Sequence, residues 1–440
     1  MSSLALLGGN KEISATDTDL FKWPIVTREH EDAVLEVLRK GAMSGTDVTM
    51  KFEEEYAEDI GMRYAIACNT GTAAIHCGLY GIGVGVGDEV ICPTITYWAS
   101  ILQVFSLGAT PVFADIEPET LCISASDIEK RITARTKAIV VVHYAGMAAD
   151  MDEIMAIAER HNLKVFEDCS HAHTSLYKGK EVGTFGDASG FSLMTGKSFA
   201  IGEGGIMFTN NQRVYERAIL FGHYSRHGNI ELEDLKQYTG LPSGGHKYRM
   251  HQLSSAFGRV QLKLYRKQFA EISKAMNYFC DLLDEIDGIT PVRPHKNSGS
   301  TKGGWYLPLA LYDSEIFGGL SIGRFTEALN AEGVECFPGC NKPLHDHKVF
   351  TEMDIYGHGK PTRIANLPDG IEISLRNKDF PVGIEINNRV FMIPWFKHYK
   401  PKIIEKYAAA FRKVAENFND LLEGDTQLDS EGGYSHAFKK

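Results

Sequence analysis

The chain lacks most of the features that would fix a class at a glance. Only eight cysteines are spread over 440 residues, and no two have C-x-x-C spacing, which argues against a zinc knuckle or a dithiol redox motif. Cys68, Cys77, Cys92 and Cys169 stand among them, several in apolar runs where free thiols act as small core residues. That usage suits a reducing compartment. No apolar run reaches the ~20 residues needed to cross a bilayer. The opening M-S-S-L-A-L-L-G-G-N-K-E has neither the basic start nor the apolar stretch of a secretory signal. A cytoplasmic protein with no membrane partner is therefore expected. Positive charge is short as well: 46 Lys and Arg face 57 Asp and Glu, for a net charge of −11. A nucleic-acid surface needs a basic patch or stripe, so no nucleic-acid partner is expected.

What is present is an alternation. From Tyr64 onward, short apolar runs such as Tyr64–Cys68, Glu89–Cys92, Ala138–Val142 and Leu163–Phe166 alternate with helical patterns. This is the signature of an α/β fold with a mostly parallel sheet. Strands Ala188–Leu193 and Gly205–Thr209 extend it, and Trp98–Leu107 reads as a helix. Later elements read as a strand at Trp305–Leu311, helix 321–331, a strand near Val334–Phe337, helix 384–390 and a long helix 401–421. At this length two domains are expected: residues 1–275 as the larger and 276–440 as a smaller α+β unit with a polar, disordered tail from Gly424. The run Gly81–Gly87 mimics a dinucleotide fingerprint but follows a helix and has the wrong spacing, so it reads as a loop. The polar stretch 222–246 is longer than a connector needs.

Ligands of open α/β sheets bind beyond the carboxyl ends of the strands, and the residues there carry chemistry. Asn69-Thr70-Gly71-Thr72 opens a helix whose free N–H groups suit a phosphate; the plain alternative is a tight turn capped by Thr. Tyr97, after the second strand, can lie flat on a planar heterocycle, or serve as a core aromatic. Asp168 can pair with a protonated ring nitrogen, or cap a turn. His171 can bond a ring hydroxyl, and Ser192 a phosphate. Lys197, in T-G-K-S-F-A-I-G-E-G-G, is poorly placed for a solvated charge; a desolvated lysine loses basicity and can attack a carbonyl. A metal reading of His143, Cys169, His171 and His173 lacks ligand spacing, and no metal is expected; His345-Asp346-His347 is weaker still and reads as a polar loop. A phosphate cradle, an aromatic plate, an acid for a ring nitrogen and a reactive lysine converge on one cofactor, pyridoxal 5′-phosphate.

The segments C-N-T-G-T-A-A-I-H-C-G-L, G-D-E-V-I-C-P-T-I-T-Y-W-A-S, V-F-E-D-C-S-H-A-H, G-K-S-F-A-I-G-E-G-G and G-H-K-Y-R-M-H-Q-L-S-S-A-F-G-R-V-Q-L resemble the DegT/DnrJ/StrS sugar aminotransferases. The likeness runs from about Lys40 to Val414. It implies a type I pyridoxal-phosphate fold with a seven-stranded sheet, a small C-terminal domain and a homodimer that shares its active sites. By the same resemblance Lys197 matches the Schiff-base lysine and Asp168 the partner of the pyridine nitrogen. Tyr97 matches the stacking aromatic and His171 the residue near the cofactor hydroxyl. Gly71, Thr72 and Ser192 match phosphate binders. The segment holding Lys247 matches one that reaches a neighbouring subunit's phosphate site, where many members have Asn. The implied reaction moves an amino group from glutamate or glutamine to a keto-sugar or keto-cyclitol. The family's dehydratase branch replaces the lysine with histidine, so Lys197 speaks for amino transfer. A sugar dehydratase and a non-catalytic regulatory relative remain the alternatives.

Overall fold

Strands rich in Val, Ile, Ala and Phe, buried on both faces, must lie inside a sheet covered by helices. The computed structural model, which describes residues 2–14, 17–371 and 373–426, places them so. Helices α1 (Arg28–Arg39) and α2 (Asp47–Ile60) lead into β1 (Tyr64–Cys68). There follow α3 (Gly71–Gly81), β2 (Glu89–Pro93), β3 (Thr110–Ala114), α4 (Ala125–Arg131), β4 (Thr136–Val142), α5 (Met151–His161) and β5 (Lys164–Asp168). A small ribbon, β6 (Leu176–Tyr177) with β7 (Lys180–Glu181), precedes β8 (Ala188–Ser192) and β9 (Gly205–Thr209). The seven-stranded sheet has the order β1-β9-β8-β5-β4-β2-β3. Only β9 runs against its neighbours, pairing Tyr64 with Thr209 on one side and Ser192 with Gly205 on the other.

Helices α6 (Gln212–Gly222) and α7 (Glu233–Lys236) follow, and then α8 (Gln252–Leu283), which packs against α1, α2 and, later in the chain, α12 (Pro401–Glu416). Beyond α8 lies a four-stranded antiparallel sheet in the order β10-β11-β13-β12. Its strands are β10 (Ile289–Pro291), β11 (Leu309–Tyr312), β12 (Phe337–Pro338) and β13 (Val390–Met392). α9 (Ile322–Ala331) packs against it and α13 (Asn419–Leu422) follows α12. α10 (Lys348–Thr351) instead sets Phe350 against Phe105 and Phe113, and the N–H groups of Val382 and Gly383 in α11 (Pro381–Glu385) donate to Asp115 after β3.

Several expectations shift in register or type. Trp98–Leu107 is not one helix: two 3₁₀ segments, Trp98–Ser100 and Leu102–Leu107, meet at Ile101, whose φ of −140° leaves the helical region. The strand expected from Trp305 begins only at Leu309, because Trp305 and Leu307 have φ of 55° and 53°. The strand expected near Val334 is the two-residue β12. The helix expected over 384–390 ends earlier, and Val390 starts β13. The long helix expected to 421 breaks after Glu416 and resumes as α13. Stretch 222–246 holds a 3₁₀ segment, Tyr224–Asn229, and α7. Of the polar tail, residues 427–440 lie outside the described residues.

Candidate active site

The parallel strands end on one edge of the sheet, and a cavity of about 330 Å³ opens there. Its wall includes Thr70, Gly71, Thr72, Tyr97, Ser100 and Asp168. Ser170, His171, Ser192, Lys197, Glu203 and Tyr306 also line it. Each reaches it for a local reason. Thr70 caps α3, its hydroxyl accepting from the Ala73 N–H at 3.0 Å. The N–H groups of Gly71 and Thr72 are left as open donors of the first turn. The helix comes this close to β8 only because residue 71 is glycine: a Cβ there would lie 2.6 Å from Ser192 Cβ.

Lys197 sits on the connection between the antiparallel strands β8 and β9. Thr195 N–H donates to Gly202 O at 2.8 Å and Lys197 N–H to Met194 O at 2.8 Å. Gly202, at φ 103°, supplies the left-handed turn that a side chain would resist. From behind, Trp23 Nε1–H donates to Lys197 O at 2.9 Å, and the Lys197 amine lies 4.1 Å from the centre of the Tyr306 ring.

Asp168 closes β5. Its carboxylate accepts from Ser100 Oγ–H at 2.7 Å and from Ser170 N–H at 3.0 Å. Lys197 is 8% exposed and Asp168 4%, yet neither joins an ion pair among the described residues. Buried charges are normally paired, so two such groups facing one cavity are the chemical signature of the site. His171 is held neutral: burial, with the charges of Lys197, His173 and Lys302, pushes its imidazole well below the usual range. Its Nδ1 accepts from Ala145 N–H at 3.3 Å, which puts the ring proton on Nε2 as a donor. Behind it, His173 is pushed down to about 3 by burial and by Lys197.

Every residue given a cofactor role in the sequence lines this cavity except Lys247, which is exposed on the loop before α8. His143 and Cys169 lie apart from it. His143 and Glu167 are 3.0 Å apart, and Glu167 also accepts from the N–H groups of Gly183, Phe185 and Gly186. Burial raises its carboxyl, but His143 and these donors bring it below the ordinary range. Cys169 completes a buried group with them, ligand atoms within 4.8 Å of one another, but the histidine and carboxylate are already engaged in the fold. The sequence reading missed Ser100 and Tyr306 as wall residues. Ser100 had a signal, lying in the turn after β2, whereas Tyr306 comes from an irregular segment with no period.

Comparison with known proteins agrees with this arrangement. The family model of the DegT/DnrJ/EryC1/StrS aminotransferase family matches residues 24–367. The GDP-perosamine synthase of Escherichia coli O157:H7 is 41% identical over 241 residues, which are 54% of this chain and 64% of that protein. The L-glutamine:2-deoxy-scyllo-inosose aminotransferase of Streptoalloteichus tenebrarius is 33% identical over 340 residues, 74% of this chain and 79% of that one. Among solved structures, the aminotransferase from Psychrobacter cryohalolentis superposes with a TM-score of 0.76 at 29% identity, covering 91% of this chain and 100% of that one. No helix among the described residues is long and apolar enough to cross a membrane. A seven-stranded, mostly parallel sheet, a lysine on the hairpin at its edge and these matches place the chain in the DegT/DnrJ/EryC1/StrS aminotransferase family.

Proposed function

We propose that the chain moves an amino group from L-glutamine or L-glutamate to the keto group of a sugar nucleotide or cyclitol, with pyridoxal 5′-phosphate held in this cavity. The observation that carries the reading is the pair of buried, unpaired opposite charges, Lys197 and Asp168, beside open N–H donors. The donor set fits the cofactor: an anion meets the N–H groups of Gly71 and Thr72 and the Ser192 hydroxyl, where the helix dipole also favours it. With the cofactor bound, Tyr97 would cover one ring face and neutral His171 would offer Nε2–H to a ring oxygen. Bound pyridoxal phosphate supplies the carbonyl that takes up the amino group and a protonated ring that withdraws electrons. Asp168 keeps a proton on the ring nitrogen, since its buried carboxylate needs a cationic partner. Lys197 carries a proton to and from the donor's α-carbon as general base and acid.

The remaining assignments belong to the same proposal. Residues 1–275 form the cofactor-binding part and 276–440 the smaller one. Two copies pair so that Lys247 of one reaches the phosphate site of the other. The name of the Streptoalloteichus relative supports glutamine as donor and a cyclitol as acceptor, and that of the Escherichia relative a sugar nucleotide. Lys197 stands against the dehydratase alternative.

Visible absorption of the cofactor-loaded protein is the test. L-Glutamine or L-glutamate should remove the visible band and a keto acceptor should restore it, while Lys197→Ala shows neither change. Keto-sugar nucleotides compared with scyllo-inosose then identify the acceptor. A protein that holds the cofactor but responds to neither donor refutes the reading.

A further inference from the structure

Lys397 is a further buried lysine besides Lys197 and Lys302, and one that the proposed chemistry leaves unused. It lies between β13 and α12, is 4% exposed and meets no carboxylate within ion-pair reach among the described residues. Its amine instead lies over the Trp395 ring and 5.5 Å from the centre of Trp23. Burial holds it well below the ordinary lysine range. Desolvating an amine costs free energy, and two indole faces offset only part of that cost. An apolar side chain of equal length would fill the space at less cost, so packing alone does not account for a lysine here.

Both indoles lead to Lys197. Trp23 donates to its backbone carbonyl. Trp395 meets the Tyr306 ring edge-on at 5.9 Å, and Tyr306 lies under the Lys197 amine. The two indoles are themselves 6.3 Å apart, inclined at 42°. We propose that Lys397 is a positioning residue: set against both indoles, it holds Trp23 on the backbone of Lys197 and, through Trp395, the Tyr306 ring beneath its amine. This rests on the reading that Lys197 moves the proton in amino transfer. Misplacing that amine by a fraction of an ångström lengthens the proton's path without touching the donor's own contacts.

Lys397→Met keeps the length and bulk and removes the amine. In the full chain without cofactor, near-ultraviolet circular dichroism reads the coupled indole pair; its band should weaken while the thermal midpoint holds or rises. In the loaded protein, single-turnover transfer from L-glutamine should slow about tenfold, with KM for the donor within about twofold. Trp23→Phe, which deletes the N–H to Lys197, should slow transfer by itself, and the double variant should be no slower than the slower single one. Losses that multiply overturn the proposal, as do an unchanged rate in Lys397→Met or a rate loss that tracks a fall in midpoint. Lys197→Ala keeps the two readings apart. If it still transfers, the reading of the site itself fails. If it is inactive while Lys397→Met matches wild type, only the role of Lys397 is refuted.

Discussion

Gly71→Ala tests the cradle without altering any group that takes part in chemistry. The added Cβ would lie 2.6 Å from Ser192 Cβ and 2.8 Å from Ser192 Cα. Carbon atoms in contact sit at about 3.5–4.0 Å, so something must move by roughly 1 Å. β8 cannot yield, because β5 and β9 flank it on both sides, and β9 already presses on the same turn: a Cβ on Gly205 would lie 2.4 Å from Thr70 O. The first turn of α3 therefore shifts away from the cavity. Overpacking of this kind costs about 1–3 kcal/mol of stability. A hydrogen bond to a charged group contributes about 1.5–3 kcal/mol, and the N–H groups of Gly71 and Thr72 move together. Loss of one such bond alone weakens binding about tenfold to a hundredfold. Titrating cofactor-free protein with pyridoxal phosphate, followed by protein fluorescence, measures the Kd, and a thermal melt reports the stability cost. A Kd within about twofold of wild type, in a variant whose melt shows the expected cost, would mean that the start of α3 does not hold the phosphate.

Two further outcomes are expected. Asp168→Asn removes a buried carboxylate that has no cation beside it, so the cofactor-free variant should melt at or above the wild-type temperature. Its loaded form should transfer amino groups about a hundredfold more slowly; a clear loss of stability without cofactor would contradict the unpaired-charge argument. The buried histidines set an acid limit to stability. His76, pushed down to about 4 by burial and His246, together with His173 and His223, each about 3, stays neutral in the fold while its unfolded counterpart takes up a proton below about 6.5. Their contribution is whole above about pH 6.5 and is lost as pH falls through 4 and 3. Urea midpoints measured from pH 7 to pH 4 should fall steadily, and His76→Gln should flatten the slope by about one proton.

The large sheet was legible in the sequence because its strands are short apolar runs set off by helical ones, and its ends were legible because chemistry follows each run. Lys197, Asp168, His171 and Ser192 all stand at strand ends or on the hairpin after one, so local pattern and topology together locate them. Tyr306 was hidden for the opposite reason. Its neighbours Trp305 and Leu307 take left-handed backbone, which long-range packing imposes and no periodicity announces. The Trp98–Leu107 stretch misled because its apolar spacing is helical. The break at Ile101 lets Ser100 reach Asp168 and Gln103 reach the Thr72 carbonyl. Lys247 was placed by likeness alone, and it lies on the surface of its own chain.

The reversed strand β9 has a consequence for how the protein is made. β1 and α3 emerge early, but the partner that seats β1 in the sheet is β9, from Gly205 to Thr209. Until that late strand slots between β1 and β8, β1 has no neighbour in the sheet and α3 lacks one of the strands it packs on. Domains form as units during synthesis, and long-range pairings are slow. A ribosome-bound chain arrested before residue 205 therefore carries Gly71, Thr72 and Ser192 with no β9 to hold β1 beside β8, and Lys197 on an unpaired hairpin arm. Such a nascent chain should bind no cofactor, and competence should come only after β9, and later Tyr306 on the cavity wall, have left the exit tunnel.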